Sequence, residues 1–203
     1  MRTAWITLAD YLASPDEAAR VAVGHVLDQA RRSHAEPGVV ATDLDPLRQG
    51  PPALVAFAKT YPVSTPKVRA LPSGSRPVLA WAPDYESLTL AATATGGSLL
   101  VVVQTAKPSL LGWAMHTQAV DLTTMSVTVD TRSAAVLADL ERLKWAGNNG
   151  WTDEAGRQQA QQILQALAGR DELDRDVVLG TMLAMGVHHK NLARLDKLIT
   201  ATA

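Results

Sequence analysis

Three short segments carry the polar residues best placed to do chemistry. Pro83-Asp84 follows the apolar run Val78–Ala82, and Gln104-Thr105 follows Leu99–Val103. Asp121, with Thr123 and Thr124 behind it, ends a third run that begins at Ala119. In a parallel sheet, ligands bind beyond the carboxyl ends of the strands, so these are the positions to weigh first. A carboxylate there can bind a ribose hydroxyl, hold a metal through water or act as a base. Gln104 and Thr105 offer hydrogen bonds, and Lys107 a cation. A second polar group is the loop Gly147-Asn148-Asn149-Gly150-Trp151, where two amides between glycines can meet a small polar ligand or a partner chain. The ligand-binding candidates are therefore Asp84, Gln104, Thr105, Asp121, Asn148 and Asn149. No catalytic residue is assigned.

Each candidate has a plainer explanation. Asp84 directly precedes Tyr85-Glu86-Ser87-Leu88, which makes it a helix N-cap. Thr123 and Thr124 read as turn residues. Asn and Gly tolerate left-handed backbone, so the 147–151 loop also reads as a structural turn. Asp43 and Asp45 are two carboxylates within reach of one divalent cation, but they also read as solvated turn acids. Gly96-Gly97-Ser98 ends a helical pattern and precedes a strand, the reverse of a phosphate-cradling loop, which follows a strand and opens a helix. No Walker lysine, no Gly-x-Gly-x-x-Gly and no Gly-x-Ser-x-Gly occurs. The histidines His25, His34, His116, His188 and His189 lack metal spacing. No metal and no cofactor is expected.

The elements that must position these residues follow from the pattern. Strands apolar throughout and joined by helix-sized segments imply a parallel sheet covered on both faces. The fold class expected is α/β: a small parallel, Rossmann-like, doubly wound sheet with a helical C-terminal region packed on it. Residues 77–130 form the parallel βαβαβ unit, whose three strands are expected to be neighbours. Residues 1–61 read as a mostly helical N-terminal part. There Ala4–Leu12 fits strand or helix, Val39–Ala41 fits a short strand, and Ser14-Pro15-Asp16-Glu17 reads as a capping box. From Pro62 to Pro77 come four prolines and the cations Lys67, Arg69 and Arg76. Residues 62–76 are therefore read as an irregular, exposed connector. Ser126–Val129 alternates like an edge strand. Residues 131–203 read as four helices, one capped by Thr152, one opened by Asp174, and the last placing Leu192, Leu195 and Ile199 on one side. All four parts are expected to form one compact body.

Composition narrows the function classes. The chain has 203 residues, no cysteine and a formal net charge of −1. Thiolate chemistry and disulfides are excluded, and no global basic field draws in nucleic acid or anionic lipid. No apolar run approaches the ~20 residues that span a membrane, and no signal peptide is apparent. Heavy use of Ala, Arg and Asp suggests a bacterial source, and the absence of cysteine fits the cytoplasm. The preferred reading is a non-catalytic binding or protein-interaction module, with a protein partner or a homodimer and without nucleic acid or membrane. The alternative is an enzyme acting on a nucleotide-like or small polar substrate at the carboxyl edge of the sheet. A third reading is a DNA-associated regulator using the last two helices, where Lys190, Arg194 and Lys197 lie.

Overall fold

The computed structural model describes residues 2–72, 74–106 and 108–202. Its contacts divide the chain into two compact units, Met1–Ser109 with Gln118–Thr128, and Leu110–Thr117 with Val129–Ala203.

The first unit is built on a seven-stranded sheet. In chain order the strands are β1 (Arg2–Ile6), β2 (Gly38–Ala41), β3 (Val63–Ser64), β4 (Val78–Trp81), β5 (Leu99–Val103), β6 (Val120–Asp121) and β7 (Ser126–Val127), with spatial order β3-β2-β4-β5-β1-β6-β7. All pairs are parallel except the terminal β6–β7 hairpin. The α/β, Rossmann-like architecture matches the pattern of apolar strands. β4 and β5 are parallel neighbours as expected, but β6 is not beside β5. β1 lies between them, pairing Trp5 with Val102 on one side and with Asp121 on the other. Ala4–Leu12 is therefore both things at once: a central strand, then the short helix α1 (Leu8–Ala13) capped by Thr7.

The side-chain period of two separates the faces of the sheet. Ala4, Ile6, Val39, Ala41, Leu79, Trp81, Val101 and Val103 share one core with α2 (Pro15–Ser33) and α4 (Pro52–Thr60). Helix α2 meets it with Ala19, Ala22, Val23 and Val26, small residues that suit close approach to a sheet. Val101 and Val102 are both fully buried, on opposite faces by alternation. Helix α5 (Tyr85–Ala94) packs on β2 and β4 with Leu88, Ala91 and Ala94 buried. It ends at Gly96 and Gly97, both with positive φ, as a glycine stop does.

Local start signals differ in two places from their sequence reading. Ser14 makes no side-chain cap to α2; its backbone N–H ends α1, donating to Asp10 O. Helix α8 (Glu154–Gly169) is capped by Asp153, which accepts from Gly156 N, and not by Thr152. The connector also differs. Val63–Ser64 adds to the sheet edge beside β2. Ser64, Thr65 and Leu71 are buried, and Ser64 Oγ accepts from Leu71 N at 2.7 Å. Gly38 makes room for this, since a Cβ there would lie within 2.3 Å of the Leu71 side chain. The other described residues of the segment form neither helix nor strand.

The second unit is helical. It combines α6 (Leu111–Thr117) with α7 (Ala134–Ala146), α8, α9 (Arg175–Ala184) and α10 (His189–Thr202). Helix α6, which sits between β5 and β6 in the chain, packs on α9. The approach is close: a Cβ at Gly112 would fall 2.0 Å from the Val177 carbonyl oxygen. Arg132 grips Asp130 with Nε to Oδ1 at 2.8 Å and Nη2 to Oδ2 at 2.5 Å, and its Nη1 donates to Thr181 Oγ1 at 2.6 Å. Leu192, Leu195 and Ile199 of α10 are buried against α8 and α9. Among the described residues, no helix is long and apolar enough to cross a membrane.

Candidate functional site

At the carboxyl edge of the sheet the candidates are dispersed, and their polar atoms are turned to the local backbone. Asp84 caps α5: its Oδ1 accepts from Ser87 N at 2.8 Å and from Ser87 Oγ at 2.6 Å. Gln104 is 5% exposed, and its Nε2 donates to Ala106 O and Pro108 O, holding the loop after β5. Thr105 is half-buried beside it, and Lys107 lies outside the described residues. Asp121 Oδ1 accepts from Thr123 N and Thr124 N, an Asx turn that carries the chain toward β7. Because β1 separates β5 from β6, Asp121 lies two strand spacings across the sheet from β5, roughly 10 Å at about 4.8 Å each, and is level there with Val102, two residues short of Gln104.

A cavity of about 250 Å³ does open at this edge, beside β1 and β6. Ile6, Asp10, Ser14, Glu17, Val21, Leu122 and Thr123 line it, and none of the four edge candidates does. Its two carboxylates are engaged. Asp10 Oδ2 accepts from Thr7 Oγ1 at 2.5 Å, and Glu17 pairs with Arg20.

The 147–151 loop of the helical unit is organised differently. Trp151 has positive φ and is 1% exposed. Its indole packs close against Gly147, where a Cβ would come within 2.2 Å of the ring. Arg194 of α10 reaches back to the loop, its Nη1 directed at Gly150 O (3.4 Å) and Asn191 Oδ1 (3.3 Å). The two asparagines then part ways. Asn149 donates through Nδ2 to Asp153 and accepts from Thr152 N, so it builds the entry to α8. That contact, with the Gly156 amide, holds the Asp153 carboxyl below its ordinary range, the amide being the larger cause.

Asn148 is exposed, and its side chain takes no partner among the described residues. It lines a cavity of about 340 Å³ together with Lys144, Trp145, Gly147, Gly186, Val187, His188 and Asn191. Trp145 is 73% exposed at its wall. Lys144 makes no ion pair among the described residues. His188 stacks on His189 with ring centroids 4.2 Å apart, and its Nδ1 accepts from Lys190 N at 3.3 Å. The cavity thus gathers an aromatic face, two side-chain amides, an ammonium and an imidazole.

Asn148 is the one sequence candidate in this cavity; Lys144, Trp145, His188 and Asn191 were missed as site residues. One signal was present. Val136, Leu140 and Leu143 form the inward stripe of α7, and Trp145 falls off that stripe, so an outward tryptophan was readable.

The third candidate surface is α10. Lys190, Arg194 and Lys197 are all exposed at spacings that put them on one face. Arg194 is held by the loop, and Asp196 accepts both Arg175 Nε (2.6 Å) and Nη2 (2.8 Å).

No family model matches the chain, and no curated protein or solved structure matches it either.

Proposed function

We propose that this chain is a non-catalytic binding module, and that its ligand enters the cavity bounded by Trp145, Asn148 and His188. The observation that carries the reading is the pairing, on one concave wall, of a largely exposed tryptophan with an amide and a lysine that take no partner among the described residues. Tryptophan is the side chain most suited to anchoring a partner, through a large rigid face of small entropic cost. The amides of Asn148 and Asn191 add directional hydrogen bonds, and Lys144 favours negative charge. The chemistry this set recognises is a planar, hydrogen-bonding group with an anionic substituent, free or displayed on a partner protein. A cytoplasmic location in a bacterium belongs to the same proposal and rests on composition alone.

The enzyme reading at the carboxyl edge has less support. General acid–base catalysis there would call on a carboxylate free to exchange protons, whereas Asp84, Asp121, Asp10 and Glu17 are engaged in a cap, turns or an ion pair.

The test is two-dimensional NMR of the indole and side-chain amide signals during titration with aromatic carboxylates and nucleoside monophosphates. Trp145 and Asn148 signals should move together and saturate, and Trp145→Ala should weaken binding at least tenfold. Shifts confined to residues around Asp84 and Asp121 would transfer the site to the sheet edge and overturn the proposal.

A further inference from the structure

The first unit holds a second cavity, of about 340 Å³, an open hollow lined by α3 (Asp45–Gln49), α4 and the edge strand β3. Its walls are apolar: Leu44, Leu47, Val55, Ala58 and Val63. Among the described residues, the only charged ones lining it are Arg48 from α3 and Lys59 from α4. Both are exposed, and neither has an ion-pair partner among the described residues. No acid among the described residues lines the space. An apolar hollow with two uncompensated cations is complementary to one kind of small ligand: an apolar chain ending in a negative charge. The volume lies at the lower end of the roughly 300–1,000 Å³ typical of small-molecule sites. We infer that this cavity binds a free medium-chain alkyl carboxylate, its tail against Val55, Ala58 and Val63 and its head between Arg48 and Lys59. This inference is independent of the proposed function and involves different residues.

Two features of binding follow. Each further methylene buried should tighten binding about fourfold until the hollow is full. The head should matter as much as the tail, because Arg48 and Lys59 are the charged residues at the wall. Titration calorimetry below micellar concentrations tests both, using hexanoate, octanoate and decanoate, with decanol as the uncharged control. Saturable one-to-one binding that strengthens along the acid series, with decanol at least tenfold weaker, is the expected result. The double variant Arg48→Gln/Lys59→Gln touches exposed side chains only, so it should keep the wild-type circular dichroism and lose at least tenfold in decanoate affinity. Ala58→Leu should exclude the tail and give the same loss. Equal binding of decanol, binding independent of chain length, or an unchanged affinity in the double variant would overturn the inference. So would preferential binding to vesicles of anionic phospholipid, or a dimer that buries this edge and leaves the acid unbound.

Discussion

Single residues at the sheet edge act on the backbone around them. Asp84 is the clearest case, with one carboxylate oxygen accepting two hydrogen bonds from Ser87. Asp84→Ala should therefore lower stability by about 0.5–2 kcal/mol, the usual cost of a lost cap, while Asp84→Asn should recover most of it. Urea denaturation of the three proteins checks this. His116 offers a test by pH. Burial lowers its pKa first, and the nearby Arg132 charge lowers it further. The folded chain then holds that proton less tightly than the unfolded chain. The unfolded state gains protons first as pH falls below the ordinary histidine value, so stability declines there. His25 shifts the same way, again chiefly by burial. Asp130 adds its own loss at lower pH, because the Arg132 hydrogen bond depresses its pKa and protonation forfeits it. His116→Gln should flatten, without abolishing, the fall in urea midpoint between about pH 7.5 and about pH 5.

At the scale of elements, most of what the structure contains was readable in the residue pattern. Five consecutive buried positions in Leu99–Val103 mark a strand covered on both faces, and the periodic leucines of α7 and α10 mark their inner sides. Placement of β1 was not readable. Arg2–Ile6 is a short run, and nothing local distinguishes a central strand from an edge one; only pairing with both β5 and β6 does. The same non-local choice dispersed the predicted site, since an intervening strand separates Asp121 from Gln104. In the 147–151 loop the amides were conspicuous, but which of them faces solvent depends on Asp153 claiming Asn149. The α6–α9 crossing supplies a sharper test of packing. A methyl group at Gly112 would strike the Val177 carbonyl, and backbone cannot swing aside as a side chain can. Gly112→Ala should cost about 1–3 kcal/mol, the usual penalty of overpacking, despite alanine's higher helix propensity. Thermal unfolding of the variant measures the balance, and a gain in stability would mean that the two helices separate easily.

For the molecule as a whole, the chain enters the helical unit twice, first for α6 and again from residue 129 onward. No single cut yields both units complete. A fragment of residues 129–203 lacks α6, and Val177, Gly180 and Thr181 of α9, which meet Gly112 and Trp113, would lose that cover. It should show helical circular dichroism but a broad, non-cooperative melt, because short helices depend on tertiary burial. A sharp transition at the wild-type temperature would show that α6 is dispensable.

The same arrangement has a consequence for synthesis on the ribosome. The strands of the sheet, down to β7, are complete by residue 127, but α6 cannot reach its final partner until α9 has been translated, beginning at Arg175. At about 5–20 residues per second, the stretch from Thr117 to Arg175 takes several seconds. During that interval Trp113 and Met115, buried in the finished protein, belong to a nascent chain whose α9 does not yet exist. Ribosome-bound chains stalled after α6 has cleared the exit tunnel, but before α9 has, should therefore recruit hydrophobic-segment chaperones at α6, and chains long enough to expose α9 and α10 should release them.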